Sequence, residues 1–404
     1  MISSFENCPD NWSMLKIDEI AIIQSGTGFP PDAQGLTSGT IPFLKVSDMN
    51  LPKNSRFIEE WNNSITEEQV SKLKAKILPP GAVIFPKIGG AIATNKKRVL
   101  TIPSCFDNNV MGLKAKHGVL DEYLYWLLQS IDLVSWSSSS SLPSMKASTV
   151  KEFFVPVPSM AEQKYIVEKL DALFTRIDTA IEHLQESVIL ADALYASTIN
   201  EQMMQAIELA GISTVEKHIK QIQTGTTPPT KQPEFYENGD INWFAPSDFG
   251  DHDILSDSNK KLSQKAFDAG KARKFDAGTI MLVAIGATIG KIGYLEQDAS
   301  SNQQITGMKF NSDIIPRYAY YWFRFIKPEI LANASTATLP IINQKGIKAL
   351  SFCAPNKQLQ ETICKKIDEV SNFRNTVKAE LIEKVELMRS LKASILDSAF
   401  KGEL

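Results

Sequence analysis

Asn95-Lys96-Lys97-Arg98 follows the Gly89-Gly90 turn, and Asn108-Asn109 stands a few residues further on. In the second half Lys260-Lys261, Lys265, Lys271 and Arg273-Lys274 cluster, and Asn302-Gln303-Gln304 occupies the loop that matches Asn108-Asn109. Lys and Arg suit phosphate oxygens and the edge of guanine, while Asn and Gln suit the edge of adenine. A basic loop by itself is more often solvated surface than a binding site. Recurrence in both halves of a repeated chain makes these loops candidates for reading nucleic acid, and two-fold proteins commonly read duplex DNA at two spaced half-sites. The candidate contacts are Thr27, Ser47, Lys87, Asn95, Lys96, Lys97, Arg98 and Asn109 in the first half. Their counterparts in the second half are Thr226, Ser247, Lys291, Gln303, Gln304 and Asn343.

Other chemistry is hard to find. Gly286, Gly290 and Lys291 resemble a phosphate loop, but the spacing is one residue short and Ile292 stands where Ser or Thr would hold magnesium. A Gly-rich strand exit, repeated from Gly89-Gly90, accounts for them better. There is no GxGxxG after a strand, no Asn-Pro-Pro-aromatic motif for amino-methylation and no Gly-x-Ser-x-Gly elbow. His117, His183, His218 and His252 stand apart, and Asp251-His252-Asp253 reads as a solvated polar turn before it reads as a metal loop. Ser135–Ser141 reads as a flexible polar loop ending at Leu142-Pro143. The expectation is a chain with no catalytic residues, no metal and no cofactor of its own.

Composition sets the bounds. The 404 residues carry 43 Lys plus Arg against 46 Asp plus Glu, a net charge of −3, which excludes a uniformly basic coat but not a local basic face. With 43% apolar residues the chain supports sizeable cores. The longest apolar run, near Thr279–Gly290, is broken by glycine and falls short of the roughly 20 residues of a membrane span. Met1–Asp10 reads as no secretory signal, and Cys8, Cys105, Cys353 and Cys364 have no CxxC spacing. A cytoplasmic protein is expected.

The elements that position the loops come as a tandem repeat. Ser25-Gly26-Thr27 recurs as Thr224-Gly225-Thr226. Ile41-Pro42-Phe43-Leu44 with Ser47-Asp48 recurs as Ile241-Asn242-Trp243-Phe244 with Ser247-Asp248. Gly81, Gly89 and Ile92 match Gly278, Gly286 and Ile289, and Trp126 falls on Trp322. From Leu142-Pro143 the offset is constant, pairing Leu339-Pro340, then Pro158 with Pro355 and Gln163 with Gln360. The globular halves mix short β runs (Ile20–Ile23, Ile41–Val46, Ala82–Phe85, Val99–Ile102, Phe153–Val157) with an aromatic helix at Asp121–Ile131, repeated at Tyr318–Phe325.

A heptad seam follows each globular half. It runs Ile166, Leu170, Leu173, Ile177, Ala180, Leu184, Val188, Ala191, Tyr195 and Thr198. The second seam runs Ile363, Ile367, Val370, Arg374, Val377, Leu381, Val385, Met388, Lys392 and Ile395, with Leu391 able to substitute for Lys392. A helix from Ala161 to Glu208 is about 72 Å long, and the connection Leu209–Thr214 reaches at most about 20 Å. The second helix therefore pairs with the first by running back. The fold class is α+β: two mixed α/β domains in a pseudo-two-fold tandem repeat, separated by two long helices in an antiparallel coiled coil. The expected segments are 1–158, 159–210, 211–355 and 356–404.

Pro156-Val157-Pro158, Ala161-Glu162-Gln163 and Ile166–Leu170 resemble the central signature of the specificity subunits of Type I restriction–modification systems. Leu391-Lys392-Ala393-Ser394-Ile395-Leu396 with Ala399-Phe400-Lys401-Gly402 is similar to their C-terminal signature. The second copy departs from the pattern, with Cys353-Ala354-Pro355 at the exit and Leu359 where the first has Glu162. The resemblance implies a non-catalytic reader of double-stranded DNA, each domain taking one half of an asymmetric bipartite target. It implies two modification subunits bringing S-adenosylmethionine, restriction subunits bringing ATP and Mg, and a coiled coil that is both spacer and docking site. A stand-alone enzyme, a coiled-coil scaffold without DNA and a subunit of a methylation-only system stay open at this point.

Overall fold

The computed structural model describes residues 5, 9–138, 142–250, 254–334 and 339–404. Cys8, Asp251-His252-Asp253 and residues 139–141 of the serine run lie outside them. The chain forms two compact units, Met1–Leu184 with Glu383–Leu404, and Gln185–Ile382. Each holds one globular copy and the parts of the two long helices that pack on it.

In the first unit a five-stranded sheet has the order Ala21–Ser25, Val110–Ala115, Val83–Pro86, Arg98–Leu100, Phe57–Ile58. A three-stranded sheet follows the order Ser64–Ile65, Ile41–Leu44, Cys105–Phe106. Phe57–Ile58 and Cys105–Phe106 pair in parallel with their neighbours and the other strands are antiparallel. Ile41–Leu44 and Val83–Pro86 are buried at every position, which is why they read as unbroken apolar runs rather than alternating ones. The ribbon Ser13–Lys16 with Phe154–Val157 closes the domain.

The second unit repeats this strand for strand. Its large sheet runs Ile219–Thr224, Ile305–Phe310, Ile280–Val283, Ile292–Leu295, Ile254–Leu255, and its small sheet Lys261–Leu262, Ile241–Phe244, Ser300–Ser301. Gly112 and Gly307 sit at equivalent positions in the large sheets. A Cβ on either would stand 2.4 Å from an overlying side chain, Leu78 or Phe275.

The aromatic helices, Asp121–Ser130 and Pro316–Phe325, are buried along Tyr123–Leu128 and Tyr318–Phe323. A helix apolar on all sides belongs between two layers. Each lies in one core with the large sheet and a long helix. Tyr123 Oη donates to the Pro156 carbonyl at 2.8 Å, and Tyr318 Oη to that of Cys353 at 3.0 Å. These bonds make Trp126 the counterpart of Tyr321, not of Trp322.

The central helix is Met160–Ala210 and the C-terminal helix Lys357–Phe400. In the second unit Asp192 takes Lys378 at 3.2 Å, Arg374 lies over the Tyr195 ring at 4.4 Å, and the Ala206 carbonyl accepts from Cys353 Sγ just before the C-terminal helix. Advance along one helix is retreat along the other, so the pairing is antiparallel. Every seam position in both series is buried or half-buried. The two basic ones hold their places. Arg374 is 6% exposed, and Lys392 lies 4.6 Å from the Phe174 ring centre with Nζ on Asp178 at 2.6 Å. Leu391 does not substitute for Lys392, because it is 46% exposed. The lysine stem covers the ring and its charge meets a carboxylate, which satisfies both halves of an amphipathic side chain.

Candidate nucleic-acid interface

One face of each domain is built on a glycine and a turn. Gly26 donates from its backbone to Val110 O at 3.1 Å, and Thr27 to Phe106 O at 3.0 Å. The chain passes so close to the next loop that a Cβ on Gly26 would stand 1.8 Å from the Asp107 carbonyl oxygen. Gly225 repeats this against Asn302 O at 2.2 Å, with Thr226 N donating to Ser301 O at 2.9 Å.

The turn beneath is also repeated. Asp107 accepts from Asn109 N at 3.0 Å and Nδ2 at 3.1 Å. Asn302 accepts from Gln304 N at 3.0 Å and donates to Gln304 Oε1 at 3.1 Å. The tip residues Asn108 and Gln303 are exposed, and Gln303 Oε1 accepts from the Thr227 hydroxyl. Burial raises the Asp107 pKa, opposed by the bonds from Asn109 and by Lys45. Lys45, whose Nζ reaches Gln34 Oε1 at 2.9 Å, belongs to this face; its place between a strand and the repeated Ser-Asp was the signal sequence reading passed over.

Ser47 and Ser247 are exposed on short 3-10 turns held by the next residue. Asp48 accepts from Lys45 N at 2.7 Å, Asn62 N at 3.1 Å and Asn62 Nδ2 at 2.8 Å. Asp248 accepts from Ala245 N at 2.7 Å and from Asn259 N and Nδ2 at 3.2 and 2.5 Å. The repeated Ser-Asp pair is thus one surface residue and one bracket.

The basic run of the first copy turns inward instead of forming a phosphate-facing cluster. Asn95 takes the left-handed conformation, φ 52°, and its Oδ1 accepts from Leu133 N at 2.9 Å and Lys97 Nζ at 2.8 Å. Lys97 is 1% exposed and donates also to Ile131 O at 2.7 Å; burial lowers its pKa to about 7. Arg98 spends its guanidinium on the carbonyls of Asn54, Lys97 and Met49 at 2.5, 2.9 and 3.1 Å, and burial lowers its pKa. Lys96, half-buried, reaches Asn50 Oδ1. Lys97 and Arg98 are internal braces, because the loop must satisfy its own carbonyls where water cannot reach.

Pairing by bonds also rearranges the matched positions. Lys87 N donates to Asn109 O as Ala284 N does to Gln304 O, both at 2.8 Å, so Lys87 corresponds to Ala284. Strand register places Lys291 with Lys96. Lys291 Nζ donates to Phe249 O at 2.8 Å. Asn343 caps Gln344–Ala349, accepting from Gly346 N at 2.8 Å, where the first copy has Lys146 before Ala147–Lys151. Of the second basic cluster, 271–274 joins the face. Arg273 donates to Thr224 O at 2.6 Å, and Thr226 Oγ1 donates to Lys271 O at 3.0 Å.

Each domain is fixed to its helix by the same two residues. Gln163 is fully buried, donates to Gly118 O and Pro158 O and accepts from Leu120 N, all at 3.0 Å. Gln360 does this to Asp313 O, Pro355 O and Ile315 N at 3.0, 2.7 and 2.7 Å. Two turns on, Asp171 accepts from Trp126 Nε1 at 2.9 Å and Arg56 at 2.7 Å, and Asp368 from the Tyr321 hydroxyl and from Arg317 at 2.9 Å.

The model of the Type I restriction modification DNA specificity domain matches residues 9–188 and again 216–387, one match on each copy. The chain belongs to this family. Curated relatives include the Type I restriction enzyme EcoBI specificity subunit of Escherichia coli, 19% identical over 98% of this chain and 86% of that one. The StySPI specificity subunit of Salmonella potsdam is 21% identical over 98% and 90%. Among solved structures, a chain described under "Structural basis underlying complex assembly and conformational transition of the type I R-M system" shares the fold at TM-score 0.75, with 16% identity over 98% and 99%. The HsdS subunit from Thermoanaerobacter tengcongensis superposes at 0.55, with 17% identity over 98% of each chain. Among the described residues no helix is long and apolar enough to cross a membrane, and no group of three or more His, Cys, Asp or Glu is placed to hold a metal ion.

Proposed function

We propose that this DNA specificity subunit reads a bipartite duplex target, each domain taking one half through the face built on Gly26-Thr27 or Gly225-Thr226. The observation that carries the reading is the double match of the specificity-domain model, once on each copy of the same bonded frame. The half-buried Thr27 and Thr226, with Asn109 and Gln304 and the exposed Asn108 and Gln303, offer donors and acceptors for base edges. Ser47, Ser247, Lys45, Lys87, Lys96, Lys291 and Arg273 flank them for phosphates.

The chain contributes recognition and no chemistry. Two modification subunits carry S-adenosylmethionine and the adenine-methylating groups, and restriction subunits carry ATP and Mg. The coiled coil is their docking site. Its outer surface bears Ile189 and Leu190, 67% and 62% exposed, with Phe373, Ile382 and Leu387 also exposed, and an apolar surface of this kind calls for a partner.

Methylome sequencing of cells carrying this chain with its modification subunit tests the reading. Exchanging residues 12–158 for the matching part of another specificity subunit should change one half-site and leave the other. A change in both means that the domains do not read independently. Four residues inserted after Glu186 lengthen the central helix by about 6 Å, against about 3.4 Å per base pair. The spacer should grow by one or two base pairs with both half-sites kept. An unchanged spacer, with activity retained, rejects the helix as the spacing element.

A further inference from the structure

The turns beneath the two reading loops make the same backbone bond but meet the next side chain with opposite polarity. In the first copy buried Asp107 accepts twice, from Asn109 N through Oδ1 at 3.0 Å and from Asn109 Nδ2 through Oδ2 at 3.1 Å. In the second copy buried Asn302 accepts from Gln304 N through Oδ1 at 3.0 Å, but donates from Nδ2 to Gln304 Oε1 at 3.1 Å.

These contacts fix which way each amide lies. A carboxylate only accepts, while a carboxamide accepts at one end and donates at the other. Facing Asp107, the Asn109 side chain has to present its NH₂, which leaves the carbonyl Oδ1 at the far end. Asn302 is fixed just as firmly. Its Oδ1 is held by a backbone N–H, so its Nδ2 has to meet an acceptor, and Gln304 turns Oε1 toward it with Nε2 at the far end. Both reading amides are half-buried. Asn109 Oδ1 meets no donor among the described residues and is not one of the buried polar atoms that lack a partner, so it reaches the surface. Gln304 Nε2 has two hydrogens and one long bond, to Ile285 O at 3.5 Å, which leaves a hydrogen to give. The first copy thus puts an acceptor forward where the second puts a donor.

We propose that Asp107 and Asn302 are positioning residues that set the polarity of the amide each domain turns to the bases. In the major groove an acceptor selects the exocyclic amines of adenine and cytosine, and a donor selects O6 or N7 of guanine, O4 of thymine or N7 of adenine. Asn109 then takes adenine or cytosine at its position in the first half-site. Gln304 takes a base with an acceptor at its position in the second, which excludes cytosine. The surface amide makes the contact, and the buried residue behind it chooses which end is offered. The inference rests on the DNA-reading function proposed above.

The test uses the full chain assembled with its modification subunits. Methylome sequencing gives the target, and binding is measured on duplexes carrying each base at the position concerned. Asn109→Ala and Gln304→Ala identify that position, because removing the amide removes the preference there. Asp107→Asn keeps the size of the side chain and the bond to Asn109 N, but sets a donor against the Asn109 amide, which must turn over. The first half-site should change at that one position from an amine-bearing to an acceptor-bearing base. Relative affinity for the two should shift by about 5- to 150-fold, the range of one good base contact. Asn302→Asp should make the reverse change in the second half-site. If the buried residues only hold the turn, both variants bind every sequence more weakly and prefer the same base, and that result overturns the proposal. An unchanged target in Asn109→Ala and Gln304→Ala also overturns it. Asp107→Asn removes a buried charge and trades one bond for its reverse, so its melting temperature should hold and it decides the matter even if Asn302→Asp unfolds. A wild-type complex that selects no target would instead sink the DNA reading itself, and this inference with it.

Discussion

The two copies share a frame and differ in what the frame carries. Gly26 and Gly225, Asp48 and Asp248, Gln163 and Gln360 make the same bonds in both, and Asp171 and Asp368 each take one aromatic donor and one arginine. Outside those positions the copies diverge in kind. Asp107 becomes Asn302, Lys45 becomes Ala245, buried Lys97 becomes Ile292, and Ile177 and Ile181 of the central helix become Arg374 and Lys378 of the C-terminal one. The difference separates two sorts of polar residue. Those that close a bond of the shared frame are held alike because their loss strands a partner, whereas a local brace such as Lys97 is exchanged together with the loop it serves. Those that face solvent are free to differ, and that is where a reader's selectivity has to lie.

The comparison breaks most visibly at the glycines. Gly26→Ala and Gly225→Ala each push a methyl into a backbone carbonyl, which cannot withdraw as a side chain can. We expect each to cost about 1–3 kcal/mol and to abolish selection at its own half-site only, as read by unfolding and by methylome sequencing. If either is silent, the close approach is not what shapes the turn.

Next in size are the buried amides. Gln163→Leu and Gln360→Leu each strand two carbonyls and one N–H, at about 1–3 kcal/mol, and denaturant unfolding should show similar losses. A large loss in one and none in the other would mean that the second copy, with its altered Cys353-Ala354-Pro355 exit, is anchored differently.

A third effect, spread over pH, concerns Lys97, whose counterpart is Ile292. Burial drops the folded pKa to about 7 from the ordinary 10.5. Between those values the unfolded chain binds the proton and the folded one releases it, so stability rises with pH across that window and levels off below about 7, where both forms are charged. Lys97→Met should flatten the rise measured by unfolding at pH 6.5 to 10. A rise that persists in the variant assigns it to other groups.

Much of this architecture was readable in advance. Heptad spacing gave the two helices because a seam must repeat wherever two helices touch, and the repeated Gly-Thr and Ser-Asp pairs marked backbone turns that only those residues close. The basic run misled because composition says nothing of direction. Asn95 in the left-handed region turns the chain so that Lys97 enters the core, and no periodicity records a single such turn. Matching by residue type puts Trp126 on Trp322, whereas the offset of Gly112 and Gly307 carries through the helix and puts it on Tyr321. On hydrophobicity alone Leu391 can stand in for Lys392 at the seam. A lysine stem over Phe174 with Asp178 beside it outweighs that once the neighbours are known.

The apolar outer surface of the long helices has a consequence for supply. A chain synthesised beyond the number of its partners keeps Ile189, Leu190 and Phe373 in water, where they present the same features that chaperones and proteases take for an unfolded protein. If those helices are the docking site proposed above, surplus reader would be cleared instead of accumulating. The cell's stock of working complex would then be metered by the partner in shorter supply, with few idle copies left to sit on targets they cannot mark.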